Sequence, residues 1–433
     1  MIHTMRMKRT AAILLTTGLA VAGLTACSSG GNSGNSSDKA SLTMTIWGSS
    51  TDLAVYKKRL ALAKKAYPTI DVKLQQIVAD YDTKLQTMVA GGQAPDIMEL
   101  AEATNVYSSK GQLTDLNPYY KSAGVSPVKD FGKGSVDMYS TKGKLWAAPD
   151  RAGSQVLFYN KDLFDAAKVS YPTEKWTWND FRDAAIKLTK RDGNTTTQWG
   201  YAAGDWWPWY MNWMKQNGGS ILNSKGTPVI DSAANVKALS FYNDLVLKDR
   251  VAPSPRDYAN AGLKNGTPDP LFAQGKLAME TTGFWNVSSL DSTSLKWGVA
   301  PVWQGKEQAT AAFGNGLAVS SASKKKDAAA KIVLFLSSAK GQAPIAESGQ
   351  DVPANLAAAN SKAFTEAKWL KSPVDLTAFS KSAKFTYSPP LVPQWNEIQK
   401  AFTDGLANVW TGTESMDKGL SAVQANVKSL LNE

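Results

Sequence analysis

The sequence predicts an α/β protein of two lobes with mainly parallel sheets flanked by helices. Two observations support this fold class. At 433 residues the chain is longer than one hydrophobic core usually serves. In its first hundred residues, short strand patterns alternate with helix patterns, which is typical of parallel strands joined by helical crossovers.

The elements follow from apolar periodicity and from the residues that stop it. Residues 42–47 alternate as a half-buried strand, and the next helix pattern ends before Pro68. Thr177 and Asp180 form a capping box that begins a later helix. The predicted strands are residues 42–47, 70–78, 198–202, 277–279, 297–301 and 317–320, with one more beginning near residue 94. The predicted helices are residues 52–67, 81–90, 177–190, 231–248, 325–336, 393–407 and 415–431.

The first residues have the pattern of an export signal. Arg6, Lys8 and Arg9 precede an apolar run over residues 11–23, which is too short to remain as a membrane-spanning helix. The next residues, Leu-Thr-Ala-Cys27, resemble the lipobox of bacterial lipoproteins. We therefore predict cleavage of residues 1–26, lipidation of Cys27, and a flexible tether over residues 27–40. The folded body would then lie outside the cytoplasm, anchored to the outer face of the bacterial cytoplasmic membrane.

The composition excludes several kinds of chemistry. His3 is the only histidine and lies within the predicted signal, and Cys27 is the only cysteine. Ser-His and Cys-His catalysis, the usual zinc sites and an internal disulfide are therefore excluded, and no cofactor or metal is expected. The formal net charge of +11 becomes +8 when the three positive charges of the predicted signal are removed. The remaining positive charges are scattered along the chain. No nucleic-acid partner is expected.

Three ordered segments carry a resemblance to a known family. They are GGQAPDIMEL over residues 91–100, YNKDLF over residues 159–164, and LFAQGKLAM with GFW over residues 271–285. Together they resemble the family 1 extracellular solute-binding proteins of sugar-importing ABC transporters, whose best-known relatives are maltose-binding proteins. The resemblance implies a two-lobed, periplasmic-binding-protein-like fold with a ligand cleft between the lobes. It also implies a monomer that delivers its sugar to membrane permease subunits.

The family pattern also divides the chain between the lobes. Residues 41–150 and 303–355 would form the N-terminal lobe. Residues 151–302 and 356–433 would form the C-terminal lobe. The chain would therefore cross between the lobes three times, and such a cleft is a usual place for a small-molecule site.

A sugar site needs aromatic faces for the C–H surfaces of the ligand and polar groups for its hydroxyls. The segment over residues 271–285 predicts a strand at 277–279, a turn at 281–283, and Trp285 at the mouth of the strand. The resemblance supports Trp285 and Trp395 as stacking residues, and Trp47, at the end of the first strand, is a third candidate. Trp285, read from its own stretch alone, and Trp47 could instead belong to the core.

The remaining candidates come from the family pattern. An acidic or aromatic group shortly before a Gly-Gly pair faces the sugar in this family, which points to Asp205, Trp206 and Trp207. Polar ligands would come from positions after predicted strands or at predicted crossings, with a pocket-capping tyrosine near the C-terminal prolines. These candidates are Glu102, Asp150, Arg151, Asn315 and Tyr387. Asp150 and Arg151 could equally form a salt bridge, and Glu102 a solvated loop charge.

The function predicted from these features is capture of a sugar, with the number of aromatic residues favouring an oligosaccharide. Two alternatives remain open. A secreted glycoside hydrolase or lyase would use carboxylates such as Asp150, Glu102 or Asp205. A binder of peptides or other small solutes would use the same fold for a different ligand.

Overall fold

The computed structural model describes residues 39–101, 103–263 and 268–432. The predicted signal peptide, Cys27 and the tether up to residue 38 therefore lie outside the described residues, as does Glu102. Within the described ranges, no helix combines the length and apolar character that crossing a membrane requires.

Within the described part of the chain, the strands form two main sheets and two small hairpins. The larger sheet has the order β13-β12-β3-β1-β2, with β6 also paired to β12. The smaller main sheet has the order β10-β7-β11. The strands are β1 Ala40–Trp47, β2 Ile70–Ile77, β3 Ile97–Leu100, β4 Ser140–Thr141, β5 Lys144–Leu145, β6 Ala148–Ser154, β7 Val156–Asn160, β8 Lys190–Asp192, β9 Thr195–Gln198, β10 Met279–Thr282, β11 Trp297–Ala300, β12 Thr310–Val319 and β13 Thr386–Tyr387.

Helices surround both main sheets. The helices are α1 Ser50–Ala66, α2 Tyr81–Ala90, α3 Thr104–Ser109, α4 Asn117–Ser122, α5 Pro127–Phe131, α6 Lys133–Met138, α7 Lys161–Ala167, α8 Trp178–Leu188, α9 Trp207–Gln216, α10 Ala233–Leu247, α11 Pro255–Asn260, α12 Asp269–Ala273, α13 Val287–Asp291, α14 Lys326–Ser337, α15 Ala339–Ser348, α16 Leu356–Ala359, α17 Lys362–Thr365, α18 Thr377–Ser382, α19 Trp395–Trp410 and α20 Met416–Asn432.

Local sequence signals account for several helix starts. Thr177 and Asp180 form the predicted capping box of α8, with the Thr177 backbone N–H donating to Asp180 Oδ2 at 2.9 Å. At α1, Ser49 and Asp52 form another box, and Asp52 is almost fully buried. A capping carboxylate therefore also reaches the site described below.

The two main sheets differ in strand direction. In the larger sheet β1 is parallel to both β2 and β3, as the alternation of strands and helices predicted. In the smaller sheet β7 is antiparallel to both β10 and β11, which differs from the predicted parallel pairing. The chain leaves β7 at Asn160 and returns to the same end of the sheet, where Met279 begins β10 and Trp297 begins β11, so both neighbours run against β7.

Each sheet has its own hydrophobic core, so the fold has two lobes. The first core takes residues between 40 and 148 and between 317 and 354. The second lobe has a large cluster between residues 157 and 427 and an adjacent smaller one around β7 and β10. Trp303, which was assigned to the N-terminal lobe, stacks on Phe181 at a ring-centroid distance of 3.8 Å and packs into the second core. The predicted boundary at residue 303 therefore lies too early in the chain. The chain passes from the second lobe to the first along β12.

The segment before Trp285 also differs from its prediction in detail. Residues 269–273 are helical, and the strand covers Met279–Thr282, so Thr281 and Thr282 are paired strand residues rather than a turn. Their buried positions against β7 explain the longer strand. Gly283 then leads into a short 3-10 helix over Phe284–Asn286.

Candidate functional site

Three chain segments lie side by side where the lobes meet. Strand β6 pairs antiparallel with β12, and Asn315 lies opposite Arg151. On the other side of β6, the backbone N–H of Ala152 donates to the carbonyl of Val352 at 3.0 Å. Strand β12 itself runs from Ala311 in the second core to residues 317–319 in the first. These segments therefore connect the lobes.

A polar cluster lies on this connection, and we define it as Asp52, Glu99, Arg151, Asn315 and Gln350. Arg151 forms ion pairs with Asp52, at 2.8 Å, and with Glu99. Asn315 donates to Oε1 of Glu99 at 2.9 Å, and Gln350 donates to Oδ1 of Asp52. Because the two carboxylates come from α1 and β3 of the first lobe, the cluster ties the connecting segments to that lobe.

Acidic groups outnumber basic groups around Arg151. Asp351 is a third carboxylate, 3.9 Å from Arg151, and its side chain is 18% exposed. Burial opposes the charge on Arg151, but the carboxylates around it outweigh that effect and hold its pKa well above the ordinary value. Burial raises the pKa of Asp351 to about 6, although Arg151 pulls it down. Arg151 therefore remains charged, whereas the pKa of Asp351 is about 6.

A second, deeper ion pair supports the cluster. Arg59 and Asp150 are fully buried and paired with each other. Arg59 also donates to two backbone carbonyls, those of Leu336 and Gly341, each at 2.8 Å. The hydroxyl of Tyr56 lies 2.8 Å from Asp150 Oδ2 and joins this pair to the polar cluster. Both carboxylate oxygens of Asp150 thus have partners inside the first lobe.

Three aromatic side chains form a partly exposed surface on the second lobe, and we call Trp206, Trp285 and Phe313 the aromatic platform. Trp206 stacks on Phe313, with centroids 5.4 Å apart and planes 30° apart. Trp285 meets Phe313 at 83° and 5.3 Å, and Trp206 at 68° and 6.2 Å. Trp206 and Trp285 are 37% and 40% exposed. The platform therefore has ring faces in two orientations, forming a corner.

The aromatic platform and the polar cluster face the same space. Phe313 and Asn315 are two residues apart on β12, so their side chains leave the same face of the strand. Gly314 and Gly316 point to the other face, where an added Cβ would lie 3.0 Å from atoms of Tyr139. Aromatic faces from one lobe thus lie beside amides and carboxylates from the other.

Trp47 adds an aromatic side chain at the edge of the first lobe. It ends β1 and is 52% exposed, so it is not a core residue. Its backbone N–H donates to Oε2 of Glu99 at 2.8 Å, which places it directly beside the polar cluster. The structure therefore brings Trp47, Arg151, Asn315, Trp206 and Trp285 to the junction of the lobes.

Besides Arg151, which is 7% exposed within its ion pairs, three predicted contact residues are buried. Trp395 is 1% exposed and lies under Trp207, with ring centroids 5.5 Å apart, so it supports the platform from below rather than offering a face. Trp207 is 3% exposed and packs on Phe313, so it also lacks the predicted exposed position. Asp150 is fully buried and forms an ion pair with Arg59. It therefore forms a salt bridge, as the alternative prediction stated, but with Arg59 rather than with Arg151.

Two further candidates have other surroundings. Asp205 is partly exposed directly before Trp206, at the start of the segment that leads into α9. Tyr387 lies on β13, and its hydroxyl donates to Oδ1 of Asn212 at 2.9 Å. Because Asn212 is buried and also accepts from the Ala311 backbone, Tyr387 supports β12 rather than capping an open pocket.

The sequence analysis did not single out four residues of this site. Phe313 precedes Gly-Asn-Gly, and its position two residues before Asn315 would have identified it as part of the same face. Asp52 was hidden by its role as a helix-capping residue, and Glu99 by its position within a buried strand. Gln350 lies in the third connecting segment, where the sequence analysis gave a crossing between the lobes but no candidate contact residue.

Within the described residues, no group of three or more histidine, cysteine, aspartate or glutamate side chains could hold an ion. Both carboxylates of the cluster are already paired with Arg151. The arrangement can therefore bind a neutral ligand that has both apolar faces and hydroxyl groups.

Comparison with known proteins identifies similar chains. The family described as "Bacterial extracellular solute-binding protein" matches residues 47–343. The maltodextrin-binding protein MdxE of Bacillus subtilis is 26% identical over 421 residues, 95% of this chain and 92% of that protein. The maltooligosaccharide ABC transporter solute-binding lipoprotein of Streptococcus pneumoniae is 25% identical and covers 86% of each chain.

Solved structures show the same architecture. The ABC substrate-binding protein Lmo0181 from Listeria monocytogenes, in complex with cycloalternan, has a TM-score of 0.83 and 31% sequence identity. That alignment covers 91% of this chain and 100% of the Listeria chain. The GacH receptor of Streptomyces glaucescens has a TM-score of 0.76 at 22% identity, covering 91% and 99% of the two chains, so it supports the fold alone.

Proposed function

Because the chain belongs to the bacterial extracellular solute-binding protein family, we propose that it captures an oligosaccharide between its lobes and delivers it to an ABC importer. The observation that carries this proposal is the placement of Phe313 and Asn315 on one face of β12. That placement joins the aromatic platform to the polar cluster. Sugars need both kinds of surface, because their C–H faces stack on aromatic rings and their hydroxyls form hydrogen bonds.

The shape of the platform supports a ligand of more than one sugar ring. Trp206 and Trp285 present planes 68° apart, so one flat ring cannot stack fully on both. Two neighbouring rings of an oligosaccharide can present their faces at different angles. The similar proteins named above bind, by their descriptions, maltodextrin, maltooligosaccharide and cycloalternan.

A binding mechanism follows from the position of the site. Trp47 and the two carboxylates of the polar cluster belong to the first lobe, and Trp206 and Trp285 belong to the second. A sugar that contacts both groups stabilises the closed arrangement of the lobes relative to the open one. The closed body would then be recognised by the permease. Small-angle scattering should show compaction when the sugar is added, and an unchanged radius of gyration at saturation would contradict closure.

The ligand class can be tested by thermal-shift screening. Maltotriose, a cyclic glucan, mannobiose, arabinose oligomers and a short peptide would be compared at equal concentration. A ligand that binds only the folded state raises the melting temperature. We expect a shift with at least one oligosaccharide and none with the peptide. A shift with the peptide alone would reassign the ligand to a non-sugar solute.

We propose binding without turnover. Asp150 pairs with buried Arg59, and both Asp52 and Glu99 pair with Arg151, so these carboxylates lack the contrasting environments that a glycosidase gives its acid and its nucleophile. Chromatography of the bound oligosaccharide after long incubation should return it intact. Release of shorter sugars that depends on Asp205 would instead support the hydrolase or lyase alternative.

The anchored location is a further part of the proposal. Cys27 would carry the lipid and residues 28–38 would act as the tether, with Lys39 at the start of the described body. Labelling with a fatty-acid analogue in bacteria should mark the wild type and leave Cys27→Ser unlabelled. Sedimentation of the detergent-solubilised protein should give the mass of a monomer. Labelling of Cys27→Ser would contradict lipidation at Cys27. A sedimenting mass twice that of the chain would contradict the monomer.

A further inference from the structure

Gly283, the residue before the Phe284–Trp285 pair, has a backbone conformation that any residue can adopt. Its φ is −104° and its ψ is −176°, which is ordinary extended backbone. A glycine is therefore not required here for chain conformation. The reason for a glycine at this position has to be the space around it.

The ring of Trp285 occupies that space. A Cβ at position 283 would overlap three atoms of the six-membered ring of Trp285, namely Cε3, Cζ3 and Cη2. The hydrogen-bearing face of Gly283 is thus the surface on which the Trp285 indole lies. Any side chain at this position requires either the backbone or the indole to move.

The backbone around Gly283 is held on both sides. Trp209 donates through Nε1 to the carbonyl of Thr281 at 2.8 Å. On the other side, Phe284 is 2% exposed and packs on Phe379, with ring centroids 5.0 Å apart. Trp285, by contrast, is 40% exposed. A side chain at 283 would therefore displace the indole and leave the strand in place.

We propose that Gly283 is a positioning residue for the ligand site, because it fixes the orientation of Trp285 in the aromatic platform. This inference rests on the proposed sugar-binding function. In the present orientation Trp285 meets both Trp206 and Phe313 and completes the corner of the platform. An alanine at 283 turns the indole out of that corner without removing it from the chain.

A mutant cycle tests this role. Gly283→Ala, Trp285→Ala and the double variant are compared with the wild type by calorimetric titration of maltotriose. If the wild type does not bind maltotriose, the oligosaccharide with the largest thermal shift replaces it. The control is Gly298→Ala on β11, where an added Cβ would overlap the ring of Tyr159. Tyr159 is buried at the end of β7 away from the lobe junction, so this control has the same steric conflict outside the site.

We expect Trp285→Ala to weaken binding roughly ten-fold or more, as loss of a central aromatic contact does. Gly283→Ala should weaken binding nearly as much as Trp285→Ala does. The double variant should bind as Trp285→Ala does, because the steric conflict between the added Cβ and the indole disappears when the indole is removed. Gly298→Ala should lower the melting temperature and keep wild-type affinity. A crystal structure of Gly283→Ala should show Trp285 displaced and β10 unchanged.

Three results would overturn the positioning role. They are wild-type affinity in Gly283→Ala, additive losses in the double variant, and wild-type affinity in Trp285→Ala. If the wild type binds none of the sugars, the proposed function fails, but the crystal structure of Gly283→Ala still decides the positioning. An unmoved indole beside a shifted β10 would then reject it.

Discussion

Arg151 and Asn315 lie opposite each other on the antiparallel strands β6 and β12, and both donate to Oε1 of Glu99. One carboxylate of the first lobe thus holds both of these connecting strands. Since Asn315 is only partly buried, its amide can also reach a ligand beside Phe313. The contacts that fix the connection between the lobes are therefore next to the proposed binding surface.

Replacement of Arg151 by methionine should strongly destabilise the fold. The change leaves Asp52 and Glu99 buried without their cation, which costs about 3–5 kcal/mol in comparable buried pairs. Urea unfolding measures the change in the free energy of unfolding. The control is Arg182→Met, which breaks the more exposed pair with Asp249 and should cost much less. Equal costs for the two variants would contradict the central role of Arg151.

Asp351 should make stability fall as the pH rises towards neutrality. Burial raises its pKa to about 6 in the folded chain, above the ordinary value of about 4, while Arg151 opposes the shift and Asp52 and Asp150 add to it. The folded state therefore binds more protons than the unfolded state between these two values, and the contribution of Asp351 is lost as the pH rises through about 6. Relative to the wild type, Asp351→Asn should gain in melting temperature from pH 4.5 to pH 7.5. A constant difference over that range would contradict the shift.

Glu280 should have a similar effect within the second lobe. It is fully buried on β10, and Asn286 donates through Nδ2 to its Oε1 at 3.2 Å and to Asp269 at 2.9 Å. Burial, and then the charge of Asp269, raise the pKa of Glu280 well above its ordinary value. Ionisation as the pH rises therefore destabilises the fold. Glu280→Gln should be more stable than the wild type at pH 8, with a smaller advantage at pH 4.5. A loss of stability at pH 8 would show that the carboxylate is needed.

Trp395 and Trp206 should respond differently to replacement by alanine. Trp395 is fully buried under Trp207, so its loss leaves a cavity and should cost about 3–5 kcal/mol in the free energy of unfolding. Trp206 is 37% exposed in the platform, so its loss should mainly reduce sugar affinity. Chemical unfolding and calorimetric titration of both variants separate the two roles. Unchanged stability together with reduced sugar affinity in Trp395→Ala would restore its predicted role as a contact residue.

The parts of the fold that could be predicted from sequence are those set by local patterns. The alternating residues of β1, the proline after the first helix, and the capping box of Thr177 all act within a few residues. The antiparallel neighbours of β7 could not be predicted in this way. Their direction depends on where a long insertion returns to the sheet, which no local pattern records.

The same distinction applies to the site. Trp285 became a candidate because the family resemblance was added to its glycine and strand end, and Asn315 because that resemblance predicted a crossing there. Trp395 has a similar local context but is buried by Trp207, a residue distant in sequence. Asp52 and Glu99 appear as an ordinary cap and a strand residue until Arg151 brings them together. Which residues belong to the site thus depends on their exposure and on long-range ion pairs, and sequence spacing does not reveal either.

A crystal structure of the protein with the oligosaccharide that gives the largest thermal shift tests the account most directly. We predict that the sugar lies between the lobes, with a ring face on Trp285 or Trp206 and a hydroxyl hydrogen-bonded to the amide of Asn315 or Gln350. A sugar bound at a surface remote from the aromatic platform, with these side chains unaltered, would contradict it.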